Sequence, residues 1–187
     1  TMAQTGSVHM LSVNDMHGAI DKFPKFAAVA DSLRALYPDL IVLSAGDNRT
    51  GNPINDRDPV SCRPMVELMN QTGFNYSTFG NHEFDGSIDG LRTVINNSYC
   101  TYLCANAYSP DSLRLHYSPF VIDKVNGIRV GILGLIQTND AGIPDCHPKH
   151  VGSITFRPVN DVAKEYKWLR NECDVFVLLT HNGYDDD

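Results

Sequence analysis

The chain has 187 residues, 42% of them hydrophobic, and a formal net charge of −7 at pH 7. This length and composition suit one globular domain with a substantial core. No basic run or stripe stands out, which argues against an extended surface for a nucleic-acid polymer or an anionic membrane. The longest apolar runs, such as residues 130–136, are far too short to span a bilayer.

The alternation in the first half of the chain predicts strands followed by helices. Pro24 suits the first turn of a helix, and Gly73 suits the end of another. Apolar periodicity gives the remaining bounds. We predict strands at residues 8–13, 40–44, 76–79 and 101–105, and helices at residues 24–37, 60–72 and 87–97.

The second half adds a hairpin and one more strand–helix unit. Asn126-Gly127 lies between two apolar runs within residues 120–136, which is a strong hairpin signal. A helix is predicted at residues 159–173 and a buried strand at residues 174–180. The whole pattern predicts an α/β architecture with sheets covered by helices, and the hairpin makes a sheet mixed.

The cysteine pattern gives no metal or redox motif. The sequence has five cysteines and no Cys-x-x-Cys pair, so a zinc knuckle is not supported. Cys100 and Cys104 could form a disulfide in an oxidising compartment, but unpaired buried thiols are the favoured interpretation. The first ten residues contain no export signal, and they leave the compartment open.

Polar side chains follow four of the predicted strands. The segments are "NDMHG", "GDN", "GNHEFDG" and "THNG", and each begins where an apolar strand ends. In open α/β sheets, ligands bind at this edge. The donors are two carboxylates, two imidazoles and one amide oxygen, from Asp15, His17, Asp47, Asn81 and His181. Such a set suits zinc, manganese or iron, and a carboxylate can bridge two ions.

Each of these residues taken alone has an ordinary structural explanation. An Asp after Gly is usually a turn former, and a single His at a strand end is usually hydrogen-bonded within the fold. The combination of four clusters in this order favours a metal site. A second set of candidate ligands, Cys146, His147 and His150, is disfavoured by Pro148 and by its place in the sequence.

The four segments resemble, in order and approximate spacing, the calcineurin-like metallophosphoesterases. The nearest branch is that of the 5′-nucleotidases, which also contains 2′,3′-cyclic phosphodiesterases. The segment "GNHEFD" is the most specific, and the match runs from about residue 8 to the end of the chain. The resemblance implies a pair of packed mixed sheets flanked by helices, and it makes residues 1–187 a metallophosphoesterase catalytic domain.

The resemblance also implies the ligands of two divalent ions. Asp15 and His17 are expected to bind the first ion, and Asn81 and His181 the second. Asp47 is expected to bridge both. The ions would be zinc, manganese or iron, as the donor types already suggest.

Two further roles follow from the same resemblance. His82 is expected to contact the substrate phosphate together with Asn81 and to protonate the leaving oxygen. Asp85 is expected to orient the His82 ring. Glu83 and Phe84 are then structural parts of the turn.

The implied function is hydrolysis of a small phosphate ester by a hydroxide that two metal ions activate. A nucleotide is the expected substrate, in the manner of a 5′-nucleotidase. Cyclic phosphodiesters and sugar phosphates are the alternative substrates. The resemblance implies a periplasmic or secreted protein. The oligomeric state is left open.

The sequence departs from the family pattern in one respect. Family members carry a Gly-His-x-His motif after the last strand, and no such motif occurs in the 187 residues. We therefore expect a catalytic domain that is incomplete at its C-terminus. The alternative is a truncated or degenerate domain that binds metal or a partner without turnover.

Overall fold

The computed structural model describes residues 6–183. The predicted domain of residues 1–187 is thus covered except for residues 1–5 and 184–187, which lie outside the described residues. The strands are β1 Met10–Val13, β2 Ile41–Ser44, β3 Tyr76–Thr78, β4 Thr101–Leu103, β5 Ala107–Tyr108, β6 Phe120–Val125, β7 Ile128–Ile136, β8 Thr155–Phe156 and β9 Val175–His181. The helices are α1 Phe23–Leu36, α2 Pro53–Asp56, α3 Arg63–Thr72, α4 Ser87–Asn97, α5 Val159–Glu165 and α6 Leu169–Glu172.

Two main sheets form the framework. The first has four parallel strands in the order β1-β2-β3-β4. The second has the order β6-β7-β9, in which β7 is antiparallel to β6 and parallel to β9. β5 and β8 form a small antiparallel pair. The predicted double sheet with helices is confirmed, although the four-stranded sheet is parallel rather than mixed over the described residues.

Side-chain alternation along the strands produces three layers of core. Ile41 and Leu43 of β2 pack with Val130 and Ile132 of β7 between the two sheets. Val42, on the opposite face of β2, packs in the cluster that also holds residues of the helices α1, α3 and α4. Successive strand residues point to opposite faces, so strands covered on both faces read as continuous apolar runs.

The outer face of the second sheet is covered in the same way. Leu133 and Leu135 of β7 pack with Val162 of α5 and Leu169 of α6. The helices α5 and α6 thereby cover the outer face of the sheet that contains β7 and β9. None of the helices within residues 6–183 has the length and apolar character that a bilayer crossing requires.

The prediction of one continuous helix at residues 159–173 is wrong. The structure has α5, then a 3-10 turn at Tyr166–Trp168, and then α6, which ends at Glu172. The turn brings Tyr166 and Trp168 against Phe120, with ring centroids 5.7 and 5.6 Å from it. Packing of these aromatic rings accompanies the break, whereas the local pattern alone favours one helix.

Other boundaries move by a few residues. The helix predicted from residue 60 begins at Arg63, because Cys62 before it has a left-handed backbone with φ of 59°. Its predicted end is confirmed: Gly73 follows with φ of 77°. The short elements α2, β5 and β8 were not predicted. All five cysteines are free, so the disulfide alternative for Cys100 and Cys104 is not realised.

Candidate metal centre

The four polar segments meet at one edge of the framework. β1, β2 and β3 run parallel, so the turns that follow them leave the sheet on the same side. Backbone hydrogen bonds join the first turn to the second: the amides of Asp15, His17 and Gly18 donate to the carbonyls of Gly46, Asp47 and Asn48 at 3.1, 2.9 and 2.9 Å. β9 of the other sheet brings His181 to the same place.

The backbone of these turns is strained. Asp15, His17, Asp47 and Thr50 have φ values of 50°, 46°, 54° and 69°, in the left-handed region that residues with a Cβ rarely adopt. Conformations of this kind cost about 1–3 kcal/mol each and concentrate at functional sites. The surrounding hydrogen bonds therefore hold the side chains of this edge in positions that the chain alone would not favour.

The other four predicted metal donors surround Asp47, whose side chain is buried. Its Oδ2 lies 3.4 Å from Nε2 of His181 and 3.9 Å from Nε2 of His17. His17 Nε2 is also 3.5 Å from Oδ1 of Asp15. His181 Nε2 is 3.2 Å from Oδ1 of Asn81. The structure thus brings all five side chains together.

Asp47 belongs to two groups of potential ligands whose donor atoms lie within 4.8 Å of one another. These groups are His17, Asp47 and His82, and Asp15, Asp47 and His181. They divide the donors differently from the predicted pairing of Asp15 with His17, so the assignment to individual ions stays a prediction. In the described part of the chain, Cys146, His147 and His150 form no such group.

Backbone carbonyls fix the orientation of two histidines. Nδ1 of His17 lies 3.1 Å from the carbonyl oxygen of Thr50, and Nδ1 of His181 lies 2.8 Å from that of Ala45. A carbonyl only accepts, so each Nδ1 carries the proton and donates it. Nε2 of each ring then faces the Asp47 side, and once it is deprotonated it is placed as in metal-binding histidines.

The electrostatics of Asp47 favour a cation beside it. Burial by itself raises the pKa of the Asp47 carboxyl, but the hydrogen bond and charge of His181 and the amide of His82 outweigh burial and lower it. Burial likewise opposes protonation of His181, yet Asp47 raises its pKa to about 9. The ionised Asp47 carboxylate and the protonated His181 ring are thus paired in this structure. A cation at the same place would take over the role of the His181 proton, so the donor set fits a metal ion.

His82 and Asp85 form a separate pair next to the five donors. Nδ1 of His82 lies 2.7 Å from Oδ2 of Asp85, and the Thr50 hydroxyl donates to the same oxygen at 2.6 Å. The His82 amide donates to Oδ1 of Asp47 at 2.8 Å. Burial lowers the pKa of His82, but the hydrogen bond to Asp85 and the charge of Asp47 raise it overall. The predicted contact between Asp85 and the His82 ring is present.

Glu83 ties the second and third turns together. Its buried carboxylate accepts from the amides of Asp47, Asn48 and Gly80 at 2.8, 2.8 and 2.5 Å. A Cβ on Gly46 would lie 2.5 Å from the Gly80 amide nitrogen, so this close approach requires glycine. Glu83 has a structural position, as the sequence predicted, and it sets the spacing between the turns of Asp47 and Asn81.

A cleft of about 830 Å³ opens in front of Asn81 and His181. Its lining includes the carboxamides of Asn14, Gln137 and Asn139 and no lysine or arginine among the described residues. A phosphate group in this cleft therefore has no basic side chain to neutralise it. Positive charge for an anionic substrate has to come from bound metal ions or from protonated histidines.

Sequence reasoning missed the residues that hold the donors in place. Thr50 supports both His17 and Asp85, and the Asp145 carbonyl accepts from Nδ2 of Asn81 at 3.2 Å. The only hint in the sequence that Thr50 supports the site is its position three residues after Asp47, in the same turn. Nothing in the sequence marks the carbonyls of Ala45 or Asp145, because every residue has one.

Comparisons with known proteins identify relatives over nearly the whole chain. The sequence pattern of the calcineurin-like phosphoesterases matches residues 9–186. The protein UshA of Yersinia enterocolitica is 27% identical over 198 residues, which cover 98% of this chain and 35% of that protein. A 5′-nucleotidase of Vibrio cholerae is 28% identical over 196 residues, with 97% of this chain and 34% of that protein covered.

Solved structures show the same fold. The Haemophilus influenzae NAD nucleotidase superposes with a TM-score of 0.82 at 24% identity, covering 95% of this chain and 39% of that one. A putative 5′-nucleotidase from Staphylococcus aureus superposes with a TM-score of 0.80 at 23% identity, covering 95% and 38%. The chain spans about a third of the length of the curated relatives it matches. With the family pattern extending over nearly all of its residues, the chain belongs to the calcineurin-like phosphoesterases.

Proposed function

We propose that the chain is the catalytic part of a metal-dependent phosphoester hydrolase that acts on nucleotides. The observation that carries the proposal is the buried Asp47 carboxylate, which is shared by two groups of potential ligands. Similarity to proteins named 5′-nucleotidase supports the substrate class. Cyclic phosphodiesters and sugar phosphates are the alternative substrates.

Five side chains are proposed to hold two ions of zinc, manganese or iron. Asp15 and His17 serve one ion, Asn81 and His181 serve the other, and Asp47 bridges them. Such a pair, when bound, clamps a phosphoryl group and activates a water. The chain's own contribution is to present two carboxylates and the Nε2 atoms of two imidazoles to one volume.

His82 is proposed to donate a proton to the leaving oxygen. The hydrogen bond from Nδ1 to Asp85 fixes the ring and leaves Nε2 to face the substrate. Asp85 and the nearby Asp47 charge stabilise the protonated ring, which is the form a general acid requires. Thr50 holds Asp85 through the same carboxylate oxygen. Asn81, next to His82, also contacts the phosphate.

The proposed compartment is periplasmic or extracytoplasmic, on the strength of the family resemblance. The complete gene tests this directly, because an export signal ahead of the sequence is expected. A complete gene that begins without one contradicts the proposed location and leaves the proposed chemistry intact.

The metal assignment is tested by counting ions per chain after dialysis against manganese or zinc. Asp47→Ala is expected to abolish both sites, since it removes the shared ligand, whereas His17→Ala is expected to weaken mainly one. Asp39→Ala, at an exposed position, is the control and should retain the parent stoichiometry. Retention of two ions by Asp47→Ala would show that Asp47 does not bridge.

Turnover is tested with a nucleoside monophosphate and with nitrophenyl phosphate in the presence of the same ions. Hydrolysis that disappears on metal removal supports the enzyme. Binding of two ions without hydrolysis of either ester favours the alternative, a domain that binds metal without turnover. The nitrophenyl ester isolates the metal centre from any nucleoside contacts outside this chain.

A further inference from the structure

We propose that Asn139 and Asp145 are positioning residues that hold the Asn81 side chain with its oxygen towards the metal centre. The proposal rests on the proposed function, because it concerns one of the metal donors named there. The two residues belong to the segment 138–146 that follows β7, which is called the Asn139 loop below. None of the five predicted metal donors lies in it, and its Cys146 belongs to the disfavoured second set of candidate ligands.

The Asn81 amide has two chemically different ends, and only one can bind a cation. Its oxygen is an acceptor, while its nitrogen carries two hydrogens and has no lone pair to offer. Oδ1 lies 3.2 Å from Nε2 of His181, on the side of the donors. Nδ2 donates to the Asp145 carbonyl at 3.2 Å, on the side of the Asn139 loop. The carbonyl therefore selects the orientation that a metal site requires.

Asn139 in turn holds Asp145. Nδ2 of Asn139 donates to Oδ1 of Asp145 at 2.9 Å, while Oδ1 of Asn139 accepts from the Ala141 amide at 2.9 Å. The backbone of Asn139 closes the same turn, since its amide donates to the Ile143 carbonyl at 2.9 Å and its carbonyl accepts from the Gly142 amide at 2.8 Å. One asparagine thus uses both ends of its side chain and both backbone groups to shape the loop.

The loop is anchored to the strands that carry the site. β7 ends at Ile136, and the amide of Gln137 donates to the His181 carbonyl at 2.9 Å. The loop and His181 therefore start from the same pair of parallel strands. His17 and His181 take their own Nδ1 partners from Thr50 and Ala45, so Asn81 is the donor whose partner comes from this loop.

The arrangement predicts an effect on one ion. Loss of an outer partner of a metal donor typically lowers metal affinity by about 10–100-fold. Asn139→Ala removes the three side-chain hydrogen bonds that Asn139 makes with Asp145 and with the amides of Ala141 and Ile143. Asp145 is thereby freed, so the Asn81 amide loses its fixed partner. We expect the affinity for the ion at Asn81 and His181 to fall by about that factor. The ion at Asp15 and His17 should keep its affinity.

A swapped pair separates this role from a general loss of structure. Asn139→Asp places two carboxylates against each other and should behave like Asn139→Ala. Asp145→Asn keeps an acceptor for Asn139 and should be close to the parent. Combining Asn139→Asp with Asp145→Asn restores one donor and one acceptor with the roles exchanged. We expect this double variant to recover the affinity that Asn139→Asp loses.

The measurement is a calorimetric titration of the 187-residue chain with manganese and with zinc, accompanied by Tm for each variant. Asn171→Ala, at an exposed position on α6, is the control. Unchanged affinities in Asn139→Ala would overturn the proposal. Equal weakening of both ions together with a fall in Tm, without recovery in the swapped pair, would also overturn it, because a purely structural loop behaves in that way.

A second readout needs no metal. Nuclear magnetic resonance reports hydrogen exchange of the Asn81 side-chain amide, whose Nδ2 hydrogen is bonded to Asp145. We expect slowed exchange in the parent and in the swapped pair and faster exchange in Asn139→Ala. If the parent binds no ion, the proposed function is wrong, while the exchange data still decide whether the loop orients Asn81. Equal exchange in parent and Asn139→Ala would refute that orientation.

Discussion

At the scale of single residues, two buried carboxylates in adjacent turns have different partners and therefore different roles. Asp47 faces imidazoles, with His181 Nε2 at 3.4 Å. Glu83 faces three backbone amides and no side-chain donor among the residues described. Burial and the charge of Asp47 raise the pKa of Glu83, whereas the three amides favour its ionised form, which is the stronger acceptor. Glu83 is therefore suited to hold two turns together, and Asp47 is suited to hold a cation.

Glu83→Gln is expected to lower the free energy of unfolding by about 2–3 kcal/mol, because an amide group would leave buried N–H donors without acceptors. Equilibrium unfolding in urea measures the change. Glu67→Gln, at an exposed position on α3, is the matched control and should stay within about 0.5 kcal/mol of the parent. Equal stability of the two variants would show that the Glu83 hydrogen bonds contribute little.

His82→Ala separates a proton donor from a metal ligand. We expect metal content to stay near the parent value and kcat to fall by about 10²–10⁴-fold on a nucleoside monophosphate, the usual range for a general acid. The loss should be smaller on nitrophenyl phosphate, because its leaving group needs less protonation. The same loss on both esters would remove His82 from the acid role.

At the scale of elements, the two main sheets come into close contact where β4 passes β7. A Cβ on Gly134 of β7 would lie 2.1 Å from the carbonyl oxygen of Leu103. The Gly134 carbonyl accepts from the Ala105 amide at 2.7 Å. Glycine at this position therefore lets the second sheet dock on the first, and docking brings β9 and its His181 to the edge where the other donors lie.

Gly134→Ala is expected to destabilise the fold by about 1–3 kcal/mol or more, as overpacking in a core does. The contact is with backbone atoms, which cannot rotate away. Gly131→Ala, on the same strand, is the matched comparison, because its new Cβ would meet the Cys173 side chain with Sγ at 2.9 Å. Thermal unfolding should rank Gly134→Ala as the less stable variant, and the reverse order would contradict this account of the sheet contact.

At the scale of the whole molecule, the chain presents few protein donors for two ions. The proposed assignment gives each ion three donors, counting Asp47 for both, and the sequence contains no Gly-His-x-His motif. The cleft in front of the donors is open, with a volume of about 830 Å³. Exogenous small ligands can therefore reach the centre.

We expect the 187-residue chain alone to hydrolyse nitrophenyl phosphate slowly, and added imidazole to increase the rate at subsaturating manganese by supplying a missing nitrogen donor. A titration of rate against imidazole concentration measures the effect. Asp47→Ala should show no increase, since it lacks the bridging ligand. A rate that imidazole leaves unchanged, with two ions tightly bound, would mean that the chain's own donors suffice.

The sequence by itself determined the features that depend on local pattern. Apolar runs gave the strands and most helices, and Gly73 marked a helix end, because burial and backbone freedom act within a few residues. Polar segments after parallel strands indicated the metal-binding edge, because such strands present their carboxyl ends together. The pair His82 and Asp85 was predictable through the family motif, and its spacing of three residues lets the two side chains meet.

Only the tertiary structure decided how those features combine. His181 meets Asp47 and Asn81 across 100 residues of chain or more, because the two sheets pack face to face. The break between α5 and α6 coincides with aromatic packing on Phe120, which lies on a distant strand. The carbonyls of Ala45, Thr50 and Asp145 orient the donors. Backbone groups are the same in every residue, so their placement has no signature in the sequence and becomes visible only in the folded chain.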